Sequence, residues 1–151
     1  MGDEATRARP TLLIVDDEEQ ILSALKRALR RENYEIVAAE TAAAALRVLD
    51  ECPVDAVLSD QKMPGMSGVQ LLRQAAQRRP KAVRMLITGW TEEIPIERLR
   101  EVGISALVTK PWDDAKLKAT LRQALGVERE PSSPKGGSDI PDRSSDYSLR
   151  R

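Results

Sequence analysis

The chain has 151 residues, of which 41% are hydrophobic and 32% charged, a composition that suits one globular domain with a real core and excludes a disordered chain. Lys+Arg and Asp+Glu both total 24, so no global charge points to nucleic acid or to an acidic surface as partner. The absence of histidine and the single cysteine, Cys52, exclude His-based general base catalysis, Cys/His zinc sites, Ser-His-Asp triads and an internal disulfide.

In chain order, residues 1–9 form an N-terminal extension (MGDEATRAR) without the apolar stretch of a signal peptide, so a cytoplasmic location is expected. Thr11 to Val15 (TLLIV) is a short β-favouring run that ends in Asp16, Asp17, Glu18 and Glu19. That pattern reads as a buried strand followed by a helix with acids in its first turn. Ile21, Leu22, Leu25, Ala28 and Leu29 then recur at helical spacing. Glu35 to Ala39 is a second strand, and Thr41 N-caps an Ala-rich helix with Ala45, Leu46 and Leu49 on its stripe. Cys52, at the end of that helix, reads as a small packed thiol.

Asp55 to Ser59 is the third strand, and Ser67 to Arg78 the next helix, with Val69, Leu71, Leu72 and Ala75. Ala82 to Thr88 is a fourth strand, followed by a weak helix over 91–101. Ile104 to Thr109 is a fifth strand, and Trp112 to Leu125 a fifth helix carrying Leu117, Leu121 and Leu125. Strands alternating with helices imply right-handed βαβ units and a doubly wound parallel α/β sheet covered on both faces. The length is too short for an eight-stranded barrel, which takes about 250 residues. Residues 127–151 change character: six Ser, three Pro and two Gly fall within 131–151, so this part reads as a disordered tail or linker. No apolar run reaches 18 residues, which excludes membrane insertion.

In an open parallel sheet, function gathers at the carboxyl ends of the strands. Those ends supply Asp16 and Asp17, Asp60, Thr88 and Lys110 from four separate strands. Each alone is an ordinary helix cap or surface charge; together they place three carboxylates, a hydroxyl and an ammonium on one edge. Clustered carboxylates call for a raised pKa or a bound cation. Oxygen-only ligands suit a hard cation such as Mg²⁺, which keeps waters and phosphate oxygens in its shell. A carboxylate is also a nucleophile toward phosphorus, and the metal and an ammonium would offset the charge of a transferring phosphoryl group.

DD at 16–17, D…MPG…G at 60–68, TG at 88–89 and KPW at 110–112 closely resemble the receiver domain of bacterial two-component response regulators, over residues 10–126. The resemblance implies the chemotaxis-regulator-like, flavodoxin-like (βα)5 fold with strand order 2-1-3-4-5. It implies a phosphoacceptor module without an output domain: a histidine kinase or phosphotransfer protein would phosphorylate Asp60 in a Mg²⁺- or Mn²⁺-dependent reaction. Because the chain has no histidine, any phosphohistidine must come from that partner. No separate substrate is expected, so the chain is not read as an enzyme beyond its own phosphorylation and dephosphorylation.

Carried over by position, Asp17 would be a direct metal ligand, Asp16 would act mainly through water, and the backbone carbonyl of Lys62 would complete the protein ligands with Asp60. Thr88 would bind a phosphoryl oxygen and Lys110 would pair with the phosphoryl group or Asp60. Pro111 would follow a cis peptide bond, and Gly65 and Gly68 would give the loop and helix entry backbone freedom. Leu107 stands where the family usually has an aromatic switch residue, which implies a differently built switch. Lys62 and Trp90 are bulky neighbours that would slow dephosphorylation, and with KPWDD they resemble receivers attached to cyclic-dinucleotide phosphodiesterases or other enzymatic outputs. A downstream target would dock on the 91–125 face, with no direct nucleic-acid contact. Two alternatives remain: a receiver fragment of a longer regulator with an enzymatic or DNA-binding output, or an Asp-based phosphohydrolase. The hydrolase would want a DxD motif that SDQKMP lacks, and a nucleotide-binding domain would want GxxxxGK[ST] or GxGxxG, both absent.

Overall fold

The computed structural model describes residues 9–89 and 94–126. Ten elements alternate: β1 (Thr11–Val15), α1 (Glu19–Leu29), β2 (Glu35–Ala39), α2 (Ala42–Glu51), β3 (Ala56–Asp60), α3 (Gly68–Arg78), β4 (Val83–Gly89), α4 (Ile96–Val102), β5 (Ile104–Lys110) and α5 (Asp114–Leu125). The five strands form one parallel sheet in the order β2-β1-β3-β4-β5, as the alternation and the resemblance led us to expect. N-terminal residues 1–8, Trp90 with Thr91, Glu92 and Glu93, and residues 127–151 lie outside the described residues.

The two middle strands that read as near-continuous apolar runs, β1 and β3, are buried along their whole length. That is the signature of a strand with a helix layer on each face. One core cluster lies on the α2, α3 and α4 side and contains Leu13, Val15, Leu49, Val57, Leu72, Leu86 and Ile104. The other lies on the α1 and α5 side and contains Leu12, Ile14, Leu25, Leu58, Met85, Ile87, Val108 and Leu121. Each fully buried Leu or Ile contributes about 1.5–3 kcal/mol of transfer free energy, so these two layers fix the strand register.

Three strands run one residue further than their sequence patterns indicate, so Asp60, Gly89 and Lys110 belong to the ladder. The fourth helix is shorter than expected: it starts at Ile96, with Pro95 as its N-cap. Proline disfavours helical backbone at the residue before it, so Ile94 stays out of the helix. The fifth helix also starts later, at Asp114, because Pro111 and the Asp113 N-cap precede it.

β5 carries an irregularity. Arg84 of β4 lies beside Ile104, but the next residue, Met85, lies beside Ala106, so Ser105 is an extra residue. Such a bulge reverses the in–out alternation beyond it. Accordingly Ile104 belongs to the first cluster, whereas Ala106 and Val108 pack with the second.

Candidate functional site

Side-chain alternation brings the ionisable residues together. Leu12 and Ile14 of β1 belong to the α1/α5 cluster, and Asp16 is the next position of that series. Ala56 and Leu58 of β3 lead in the same way to Asp60, and Ala106 and Val108 of β5 lead to Lys110. Three strands therefore deliver two carboxylates and an ammonium to the same face of the sheet at its carboxyl edge. Lys110 Nζ lies 3.0 Å from Asp60 Oδ1 and 3.2 Å from Asp16 Oδ2. Asp16 is fully buried and Asp60 is only 5% exposed.

Asp16 does two things at once. Its Oδ1 accepts from the Glu18 amide at 2.9 Å, which secures the chain where it enters α1. Its Oδ2 is buried and accepts no hydrogen bond among the described residues, the Lys110 ammonium being an ion-pair contact. Asp17 is exposed beside it. One carboxylate oxygen from each of Asp16, Asp17 and Asp60 lies within 4.8 Å of the others, so the group could hold a metal ion. The donor set is hard oxygen throughout, and three clustered carboxylates carry more negative charge than the Lys110 ammonium offsets, so these residues fit a small hard divalent ion.

The electrostatics follow from burial and proximity. Desolvation raises the pKa of Asp60, the Asp16 charge raises it further, and the hydrogen bond and charge of Lys110 pull it back only in part. Burial alone would lower the pKa of Lys110; its hydrogen bond to Asp60 and the charges of Asp16 and Asp60 outweigh this, and its pKa is raised. The ammonium is thereby held charged between two carboxylates.

The loop after β3 is tied down by Gln61, a residue that no sequence pattern singles out. Its amide donates to the Ile87 carbonyl of β4 at 3.0 Å, and its own carbonyl accepts from the Gly68 amide at 3.0 Å. Its side-chain Oε1 accepts from the Val69 amide at 2.9 Å. Ser67 and Gln70 complete the helix start with a reciprocal capping box. Gly65 takes a positive φ of 84°, as a stiff turn after Met63 and Pro64 requires. Gly68 does not, which corrects the expectation of backbone freedom there. A Cβ at Gly68 would stand 2.2 Å from the Asp60 carbonyl oxygen, so glycine is needed for close approach.

The remaining candidates are spread around this centre. Lys62 is exposed immediately beyond Gln61, and Thr88 is buried on β4, one position past the residue beside Asp60. The Lys110–Pro111 peptide is cis, and Trp112 Nε1 donates to Asp114 Oδ1 at 3.0 Å. Leu107, beside Leu86 in the ladder, is 41% exposed. Trp90 lies outside the described residues.

A family model described as response regulator receiver domain matches residues 12–122, and the chain belongs to this family. Among curated proteins, the hydrogenase transcriptional regulatory protein HoxA of Bradyrhizobium diazoefficiens is 40% identical over 120 residues, 79% of this chain and 24% of that protein. The transcriptional regulatory protein GlrR of Escherichia coli is 34% identical over 123 residues, 82% of this chain and 27% of that protein. The chain thus spans about a quarter of the length of these two relatives. Among solved structures, the signal receiver domain of an HD domain-containing protein from Pseudomonas fluorescens Pf-5 matches with a TM-score of 0.74 and 38% identity, covering 78% of this chain and 95% of that one. A CheY-like receiver domain protein from Methanospirillum hungatei matches with a TM-score of 0.72 and 30% identity, covering 79% and 95%. Among the described residues no helix is long and apolar enough to cross a membrane.

Proposed function

We propose that the chain is the phosphoacceptor module of a two-component phosphorelay, phosphorylated on Asp60 by a histidine kinase or phosphotransfer protein. The observation that carries this reading is the single ammonium of Lys110 held between Asp60 and the buried Asp16 at the carboxyl edge of the sheet. An oxygen of Asp60 attacks phosphorus, a P–O bond forms, the P–N bond of the partner's phosphohistidine breaks, and its imidazole nitrogen keeps the electron pair. Asp17 and Asp60, with the Lys62 carbonyl and with Asp16 acting through water, would hold Mg²⁺ or Mn²⁺. The bound ion supplies positive charge to the phosphoryl oxygens. Lys110 supplies a second positive charge, and Thr88 donates its hydroxyl to a phosphoryl oxygen once Asp60 is modified.

The reading extends to the rest of the chain. Residues 10–126 form the receiver, residues 1–9 an extension and residues 127–151 a tail or linker. Lys62 and Trp90 tune dephosphorylation, Leu107 is part of the switch, and a downstream target docks on the 91–125 face. A second form of the reading is a receiver that works within a longer regulator. It is favoured by the quarter-length match to HoxA and GlrR and by the Pseudomonas neighbour that belongs to an HD domain-containing protein.

Incubation with acetyl phosphate and Mg²⁺, followed by intact mass, tests the central claim. Wild type should gain the mass of one phosphoryl group, and Asp60→Ala should gain none. Unlabelled wild type, or equal labelling of the variant, would refute it.

A further inference from the structure

Building on the phosphoacceptor reading, we propose that Gln61 is the positioning residue for Asp60: its side chain and backbone lock α3 to the end of β3, and so hold the Asp60 carboxylate and the Lys62 carbonyl in one frame.

A helix leaves its first amides without intrahelical partners. In α3 the Gly68 amide is taken by the Gln61 carbonyl, the Val69 amide by Gln61 Oε1 and the Gln70 amide by Ser67 Oγ. Two of these three acceptors belong to Gln61, the residue directly after the site strand, and not to the helix. The α2 start differs: there Thr41, its own N-cap, accepts from Ala44. Gln61 is also fastened to β4 through Ile87, so one residue joins β3, β4 and α3. The loop of residues 62–67 is closed at both ends by the Gln61 carbonyl and the Gly68 amide, and Lys62 is its first residue.

The coupling to Asp60 is direct. Gly68 abuts the Asp60 peptide so closely that no Cβ fits, and Ser59 Oγ donates to that same Asp60 carbonyl at 2.9 Å. A shift of α3 is therefore a shift of the Asp60 backbone. Gln61 acts through these groups, much as residues behind metal ligands set the orientation of the ligands themselves.

The test compares three variants of the full chain. Gln61→Met keeps the length and removes the acceptor, Gln61→Glu keeps the acceptor, and Ser67→Ala removes the other side-chain cap of the same helix. Two readouts are independent of phosphorylation: the Mg²⁺ dissociation constant by calorimetry, and hydrogen exchange of the Val69 amide in metal-free protein. Gln61→Met should weaken Mg²⁺ binding about tenfold, within the range found when support behind a ligand is removed, and should speed Val69 exchange. Gln61→Glu should keep Val69 protected and bind Mg²⁺ at least as tightly as wild type. Ser67→Ala should stay within about twofold of wild type in Mg²⁺ binding, because its acceptor is local to the helix. Wild-type Mg²⁺ affinity in Gln61→Met, or an equal loss in Ser67→Ala, would overturn the proposal. Should Gln61→Met fail to fold, Gln61→Asn, whose amide is one methylene too short, carries the same expectation. Absence of Mg²⁺ binding in wild type would instead strike down the phosphoacceptor reading, and this proposal with it.

Discussion

Lys110 Nζ bridges Asp60 Oδ1 and Asp16 Oδ2 at 3.0 and 3.2 Å, so one ammonium serves two carboxylates that water barely reaches. It does not fully offset their burial and mutual repulsion, and the pKa of Asp60 stays raised above 3.8. The native state therefore binds this proton more tightly than the unfolded chain does. Stability from the protonated form is fully present below 3.8 and is lost as pH rises through the folded value. In metal-free protein, Asp60→Asn should be more stable than wild type at neutral pH, and the difference should vanish at about pH 3, below the ordinary carboxylate pKa. Urea denaturation across this range measures it; a gap that widens toward acid would contradict the account.

Gly68→Ala sets two effects against each other. Alanine favours the helix by about 1 kcal/mol over glycine. Its Cβ would meet the Asp60 carbonyl oxygen at 2.2 Å, and that oxygen belongs to backbone that cannot rotate away. Overpacking of this kind costs about 1–3 kcal/mol, so against the helix gain of about 1 kcal/mol the clash should win and the variant should lose up to about 2 kcal/mol net. A urea midpoint equal to or above that of wild type would show that α3 yields easily.

Tyr34 is buried with a hydroxyl that has no hydrogen-bond partner among the described residues. Its pKa is raised above 10.0 by burial and by Glu32, with Arg122 offsetting part of this. Glu32 and Arg122 form a two-pronged pair at 2.9 and 2.8 Å, joining the turn after α1 to the end of α5. Stability from the neutral phenol is fully present below 10.0 and lost as pH rises through the folded value. Tyr34→Phe should lie within about 1 kcal/mol of wild type at pH 7, since no bond is broken. Above pH 10 it should lose stability less steeply. Thermal melts from pH 8 to 11 would reveal the crossover, and parallel curves would exclude it.

Much of this architecture is legible in the sequence because it depends on local patterns. The apolar runs TLLIV and AVLS mark strands buried on both faces, and Thr41 and Ser67 mark helix starts. The charged residues of the site stand at strand ends, where simple alternation predicts an edge. Features that depend on three-dimensional approach are not legible. Gly68 looks like one more loop glycine until the Asp60 carbonyl is seen against it. Gln61 looks like any polar residue after a strand, because its three bonds reach β4 and α3 at once. The late start of α4 was foreshadowed by Pro95 but masked by the charged, helix-favouring residues around it.

Ser105 itself is exposed, and its chemistry is immaterial; its effect is arithmetic. Counted in steps of two from Ile104, Lys110 would fall on the α2/α3/α4 side of the sheet, away from Asp16 and Asp60. The one additional residue puts β5 half a period out of phase with its own beginning, and the cation arrives on the carboxylates' side. Whether the positive charge meets its partners is thus settled five residues upstream, by spacing and not by side-chain identity. A β5 of the same length that paired regularly, without the bulge, would keep the DD, MPG, TG and KPW signatures intact and still send its lysine to the wrong face.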